Sequence, residues 1–263
     1  MDNNKKFSGL SAMGAVIAIV AAMGVGVFIY IFILGADSHF DAEHHPKPGD
    51  LMGMMYKGGF IVPILIGILV TIIVFSIERT ITIMKAAGTG NSAELISKTK
   101  HFLEANQLEE AVAECDKNKG SLANVIRAGV EKVKTVQGSS MDKETKVAAI
   151  QKEIEEATAL ELPMLSKNLV ILSTCATIAT LFGLIGTVLG MIRSFAALAQ
   201  AGAPDTTALA TGISEALINT AFGIIASVLG IIMYNVFSTK IDSITYSMDE
   251  AGFSIVQSVG AKG

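Results

Sequence analysis

The sequence predicts an all-α membrane protein, in which a bundle of transmembrane helices carries a cytoplasmic helical region. Hydrophobic residues make up 51% of the chain, the mean hydropathy is +0.54, and Trp is absent, which is unusual for a soluble domain. Four uncharged windows are each long enough for the roughly 20 residues of a bilayer-crossing helix. These windows are residues 7–36, 58–77, 168–192 and 216–239.

The distribution of positive charge predicts the orientation of these spans. Of the 20 Lys and Arg residues, 13 lie within residues 79–167, and basic loops tend to stay on the cytoplasmic side. The loop 199–208 carries no Lys or Arg, so we expect it to be external. Both termini are then cytoplasmic if the first span is retained.

These observations divide the chain into six segments. The predicted segments are a first transmembrane helix (1–35), an external loop (36–57), a second helix (58–85), a cytoplasmic helical domain (86–167), a pair of transmembrane helices (168–239) and a cytoplasmic tail (240–263). Pro63 should bend or start the second helix near its outer end.

The first apolar segment has a second interpretation as a cleaved signal. Lys5 and Lys6 form a basic start, and small residues follow the apolar run. The uncharged run of 30 residues is longer than the usual core of about 7–15 residues in a signal peptide. A retained helix is therefore favoured, and removal of the segment stays open.

Several other classes of function are not expected. A net charge of −4 without a basic patch argues against nucleic-acid binding. The cytoplasmic region has no nucleophile with a base and no phosphate loop, so we expect no enzyme and no cofactor. Cys115 and Cys175 offer no disulfide framework and should be reduced.

The external loop contains the only metal-like cluster in the sequence. Its spacing matches no strong ligand signature, so a polar loop without a metal is favoured. The residues concerned are His39, Asp41, Glu43, His44 and His45.

The sequence of the cytoplasmic region predicts short helices that are interrupted around Asn106 and Gly120. Asn91 followed by Glu94 suits a helix N-cap. A later apolar stripe at three- and four-residue spacing should pack against neighbouring cytosolic helices. Its members are Val147, Ile150, Ile154, Ala157 and Glu161.

The last two spans carry both hydroxyl and glycine tracks. Hydroxyls that recur every seven residues lie along one side of a helix, where they either line water or bond helices and backbone. Small residues permit close helix approach. The hydroxyl positions are Ser173, Thr180, Thr187 and Ser194 in the third span and Thr220, Ser227 and Tyr234 in the fourth; the glycines are Gly183, Gly186, Gly190, Gly212, Gly223 and Gly230.

The short turn between these spans predicts which residues share a depth. The helices should run antiparallel, which places Thr187 level with Thr220 and Arg193 near Glu215. Glu215 is offset from Thr220 by about 140° around the helix. Glu215 therefore either pairs with Arg193 or faces a central cavity, and a charge inside a membrane helix favours a functional site.

The last two spans join two motifs, G-x-x-G-T-V-x-G-M, which starts at Gly183, and G-I-S-E-A-L-x-x-T-A-x-G, which starts at Gly212. Together these motifs resemble the ExbB/TolQ/MotA proton-channel family, most closely its ExbB branch. The Glu78-Arg79 pair is also similar to the family's pattern at the end of the preceding span. The resemblance covers residues 58–242.

The resemblance implies a homopentamer in the inner membrane of a Gram-negative cell, with the loop 36–57 in the periplasm and the pair 168–239 forming the pore. The pentamer would enclose an ExbD-like single-span partner and drive a TonB-like protein for outer-membrane import. The family's lumen-lining positions carry over to Thr187, Glu215 and Thr220, and Thr180 extends the hydroxyl stripe.

The sequence differs from the usual ExbB pattern at two places, so other branches of the family remain alternatives. Ala179-Thr180 stands where the family often has Ala-Pro, and the long first segment adds a fourth span. A TolQ-like or MotA-like stator with a different output is one alternative. A passive membrane scaffold, in which the polar stripes only pack helices, is the other.

Overall fold

The computed structural model describes residues 11–41, 46–47, 49–199 and 205–261, and in these ranges the chain is almost entirely helical. The only β feature in the described ranges is an isolated bridge between Phe40 and Pro46. The predicted all-α fold class is therefore confirmed. The helices are α1 Ala12–Phe28, α2 Leu51–Tyr56, α3 Ile61–Ala87, α4 Ser92–Glu104, α5 Leu108–Asn118, α6 Gly120–Gln137, α7 Lys143–Ser166, α8 Leu169–Leu198 and α9 Thr206–Ala261.

Four helical runs in the described residues are long and apolar enough to cross a membrane. The first is α1 with the π-helical turn Ile29–Leu34 that continues it. The others lie in α3, in α8 and in α9. Pro63 falls in the first turn of α3, where its missing N–H would have had no helical partner.

The short helices between α3 and α7 begin and end where local chemistry predicts. The Asn91 side chain caps α4 by accepting from Ala93 N at 3.0 Å, while Glu94 pairs with Lys98 at 2.8 Å. Asn106 (φ 63°) and Gly120 (φ 86°) adopt left-handed conformations, and both lie at the predicted breaks. These breaks separate α4, α5 and α6.

The described residues form two compact units, and the first comprises Arg79–Lys167 with the final part of α9. Its core centres on α6, where Val125, Ile126 and Val130 are fully buried. Gly129 of α6 faces the side chains of Ile154 and Ile255 at close range. The predicted stripe on α7 therefore packs against neighbouring helices, as expected.

The last described residues, up to Ala261, belong to a packed helix. Helix α9 runs for 56 residues to Ala261, and Ile241, Met248 and Ile255 are buried in the first unit. Ala251 and Ser258 are also buried. These positions repeat every seven residues, which is the signal that could have predicted this packing.

Cys115 lies inside the same unit. Its side chain is buried, and desolvation raises the pKa of the thiol to about 12. A thiol that stays protonated is a poor nucleophile, and Cys115 is a free cysteine, as expected.

The second unit comprises the described residues of Leu10–Glu78 and Asn168–Asn235. Helix α1 approaches α3 through small residues: a Cβ on Gly26 would lie 2.5 Å from Gly67 N. Farther along, Tyr30 stacks on Tyr56 with ring centroids 4.7 Å apart. The Tyr30 hydroxyl also donates to Tyr56 O at 3.0 Å, so the first span is anchored next to the start of α3.

We predict that Ile150→Ala destabilises the first unit by about 2–5 kcal/mol, because it empties a fully buried site. Leu160→Ala on the same helix is the matched control, since the Leu160 side chain is 74% exposed. Urea unfolding of the two detergent-solubilised variants measures the difference. Equal losses would contradict the assigned packing of α7.

Candidate functional site in the helix pair

Glycines bring the backbones of α8 and α9 into direct contact. A Cβ on Gly223 would lie 2.8 Å from Ala179 O and 2.9 Å from Gly183 Cα, and a Cβ on Gly190 would lie 2.6 Å from Gly212 O. Such separations exclude any side chain larger than hydrogen. The predicted glycine tracks therefore face each other within one chain.

The other two predicted packing glycines contact side chains. Gly186 lies directly beneath Asn219, with the position of a Cβ 2.6 Å from Asn219 Cγ. Gly230 faces Ala176 Cβ at 2.8 Å and Ile72 Cδ1 at 3.2 Å. Through Gly230 the helix pair also meets α3.

The hydroxyls of Thr187 and Thr220 are hydrogen-bonded to each other across the helix pair. Each hydroxyl is also within bonding distance of its own helix: Thr187 Oγ1 lies 3.1 Å from Gly183 O, and Thr220 Oγ1 lies 3.1 Å from Ala216 O. Two hydroxyl protons cannot serve three donor–acceptor contacts at once. The pair therefore has two alternative hydrogen-bond arrangements, which differ in which threonine donates to the other.

The remaining hydroxyls of the α8 stripe contact their own backbone. Ser173 donates to Val170 O, Thr177 to Ser173 O and Thr180 to Ala176 O, at 3.0, 3.0 and 3.4 Å. This is a common way for a membrane helix to satisfy a hydroxyl. Ser194 is buried and lies 3.1 Å from both Gly190 O and Leu209 O.

Glu215 and Arg193 form an ion pair inside the second unit. Arg193 Nη1 donates to both carboxylate oxygens, at 2.5 and 2.6 Å. The two partners differ in exposure: 6% of the Glu215 side chain is accessible against 52% of the Arg193 side chain. The carboxylate therefore depends on this partner, whereas the guanidinium can also reach solvent or lipid headgroups.

The turn between α2 and α3 covers the Glu215 carboxylate. Gly59 adopts φ +77°, and a Cβ there would collide with Glu215 Oε1. Only glycine satisfies both the backbone conformation and this contact. The sequence analysis did not connect this turn to Glu215.

Asn219 is a second residue of this region that the sequence analysis missed. Its side chain is fully buried, and its Nδ2 donates to Gly58 O at 2.9 Å. An amide side chain within a hydrophobic span was the available signal. Asn219 does not belong to the seven-residue hydroxyl pattern, so that pattern did not identify it.

These contacts resolve the angular offset between Glu215 and Thr220. Within one chain, Glu215 faces Arg193 and the α2–α3 turn, while Thr220 faces Thr187. The predicted site residues thus form two polar clusters. Thr180 belongs to neither cluster among the contacts described above.

No metal centre is defined in the part of the chain that the structure describes, since no three His, Cys, Asp or Glu side chains converge there. In the segment that precedes α2, His39 Nδ1 lies 2.7 Å from Asp50 Oδ2, and this hydrogen bond lowers the pKa of Asp50. Glu43, His44 and His45 of the predicted cluster lie outside the described residues.

The fold and these clusters define a multi-pass helical membrane protein with polar groups held between two closely packed spans. The sequence profile of the MotA/TolQ/ExbB proton channel family matches residues 117–250, which is just over half of the 263 residues. The chain belongs to this family.

Individual relatives carry both ExbB and TolQ names. The biopolymer transport protein ExbB of Pseudomonas putida is 27% identical over 77% of this chain and 61% of its own length. ExbB of Salmonella typhimurium is 33% identical over 32% of this chain and 35% of its own. The Tol-Pal system protein TolQ of Pseudomonas aeruginosa is 32% identical over 44% and 51%. The chain thus spans about three fifths or less of these relatives.

We predict an asymmetry between the two halves of the ion pair. Arg193→Ala should destabilise the protein by about 3 kcal/mol, because it leaves a buried carboxylate unpaired. Glu215→Gln should cost less, because Arg193 is half exposed. Adding Glu215→Gln to Arg193→Ala should recover part of the loss.

Thermal unfolding of the four proteins in one detergent provides this double-mutant cycle. Fully additive losses would show that the two side chains are not coupled.

We also predict that Gly223→Ala costs roughly 1–3 kcal/mol by forcing α8 and α9 apart. Gly24→Ala in α1 is the matched control, since a Cβ at Gly24 has no heavy atom within 4 Å. Unfolding midpoints of the two variants give the comparison. A tolerated Gly223→Ala would mean that the helix pair is looser than described.

Proposed function

We propose that this chain is the proton-conducting subunit of an ExbB-like motor in the inner membrane of a Gram-negative cell. Five copies would enclose an ExbD-like single-span protein and use the proton motive force to work on a TonB-like protein for outer-membrane import. In this proposal the chain is not an enzyme, needs no cofactor, acts within the lipid bilayer and binds no nucleic acid. Its two termini are cytoplasmic if the first span is retained.

The Thr187–Thr220 contact is the observation that carries this proposal. Its two arrangements differ by the rotation of hydroxyl protons, so the pair can switch donor direction without moving a helix. A proton-carrying carboxylate on a partner helix would meet either a donor or an acceptor there. Membership of a proton channel family is the reason for proposing protons as the transported species.

Glu215 contributes negative potential near the external end of the pair in this proposal. While it is bound to Arg193, the net charge of that cluster is close to neutral. Glu215 therefore supplies negative potential to a passing cation only while its carboxylate is turned away from Arg193. One proton that crosses 100 mV releases about 2.3 kcal/mol, which sets the energy available for each step.

The output of the motor has a second candidate. Relatives named TolQ align over part of the same region as those named ExbB, so a TolQ-like output is equally compatible with these matches. A MotA-like stator remains a third variant, because the described residues contain four candidate spans. Co-purification of the single-span partner, and its ratio to this chain, would separate these outputs.

A passive scaffold is favoured by one observation, the back-bonding of the α8 hydroxyls to their own helix. If that role were the whole function of the stripe, replacement of any hydroxyl by an isosteric methyl would be nearly neutral for transport. The contact between Thr187 and Thr220 differs because it joins two helices.

We predict that Thr187→Val and Glu215→Ala each abolish energised transport while the oligomer still assembles. Thr177→Val is the matched control, since its hydroxyl lies on the same helix and donates to Ser173 O at 3.0 Å. Proton flux into proteoliposomes that contain the chain and its single-span partner, with size analysis of the complex, tests this. Normal flux in both variants would favour the scaffold.

A further inference from the structure

The α2–α3 turn is held from two sides. Asn219 Nδ2 donates to Gly58 O at 2.9 Å, and Tyr30 Oη donates to Tyr56 O at 3.0 Å. Between these two anchors and α9, Gly59 rests directly on the Glu215 carboxylate. The position of the turn thus depends on groups that lie far from it in the sequence.

The orientation of the Asn219 amide is set by its environment. A flipped amide would place its oxygen against the oxygen of Gly58, so the Nδ2 donor must face Gly58. The Oδ1 atom is buried without a hydrogen-bond partner in the described residues, which costs free energy. Gly186 leaves the room for this side chain. An apolar residue at position 219 would avoid the unpaired acceptor, so packing alone does not explain the amide.

We propose that Asn219 is a positioning residue for Glu215. By holding the carbonyl of Gly58, Asn219 keeps Gly59 over the carboxylate, and the carboxylate stays on Arg193 instead of turning toward the rest of the helix pair. The contribution of this arrangement to proton movement rests on the proposed function, but the positioning itself does not.

The contacts lead from Asn219, through the α2–α3 turn, to Glu215. Asn219 and Glu215 are four residues apart on α9, so both side chains lie on the same side of that helix. Asn219 contacts the turn through Gly58, and Glu215 contacts it through Gly59. Loss of the first contact frees the turn to move away from the second.

The test uses the full chain in lipid and the infrared carboxylate band of Glu215, assigned by its loss in Glu215→Gln. Asn219→Leu has a similar size but lacks the donor, and Asn219→Ala removes the side chain if the leucine variant does not fold. We expect either variant to shift the Glu215 band as the carboxylate leaves Arg193. Amide exchange at residues 58–62 should rise about tenfold, consistent with the loss of one buried hydrogen bond.

Thr71→Ala is the control for a nonspecific loss of packing. Thr71 is also buried in this unit, and its hydroxyl donates to Gly67 O of its own helix at 2.8 Å. Thr71→Ala should leave the Glu215 band unchanged, whereas Gly59→Ala should shift it as the Asn219 variants do. An unchanged band in folded Asn219→Ala would overturn the positioning role.

The two proposals fail separately in these experiments. The Glu215 band is measured without a partner protein and without proton flux. Absence of flux in the wild-type complex would overturn the proposed function and leave a band shift in Asn219→Ala standing. Flux in the wild type with no band shift in Asn219→Ala would overturn the positioning role of Asn219 and leave the proposed function standing.

Discussion

The close approach of α8 and α9 is the constraint on which the site depends. Gly183 against Gly223 and Gly190 against Gly212 allow the two backbones to touch. Thr187 and Thr220 can share a hydrogen bond only at this separation. Apolar surfaces gain little by associating in lipid, so packing at small residues and interhelical polar contacts must hold such a pair together.

Polar groups inside the membrane unit are satisfied in two different ways. The isolated hydroxyls of α8 bond to their own helix. This bonding lowers the free-energy cost of placing a hydroxyl in an apolar environment. Glu215 and Asn219 instead contact other parts of the chain, and each side chain contacts the α2–α3 turn. The groups that are hardest to bury are therefore also the groups that join α9 to the α2–α3 turn.

Much of this architecture could be predicted from local features. Four apolar windows predicted the four candidate spans found in the described residues, and the breaks predicted at Asn106 and Gly120 are positions where the backbone adopts positive φ. Antiparallel reflection through a short turn predicted both Thr187 beside Thr220 and Arg193 beside Glu215, because helical rise is constant. The role of Asn219 was missed, since its partner Gly58 lies at a distant position in the chain. The packing of the end of α9 was missed although its buried positions repeat every seven residues.

The sequence by itself determined the helical spans, their small-residue faces and the depth of each polar group, because helix periodicity and the cost of charge in lipid act locally. Only the tertiary structure decided between the two predicted environments of Glu215 within one chain. The carboxylate lies on Arg193 beneath Gly59, and that choice depends on a turn more than 150 residues away in the sequence. Such a contact leaves no periodic signal in the sequence, because it is set by how separate helices meet.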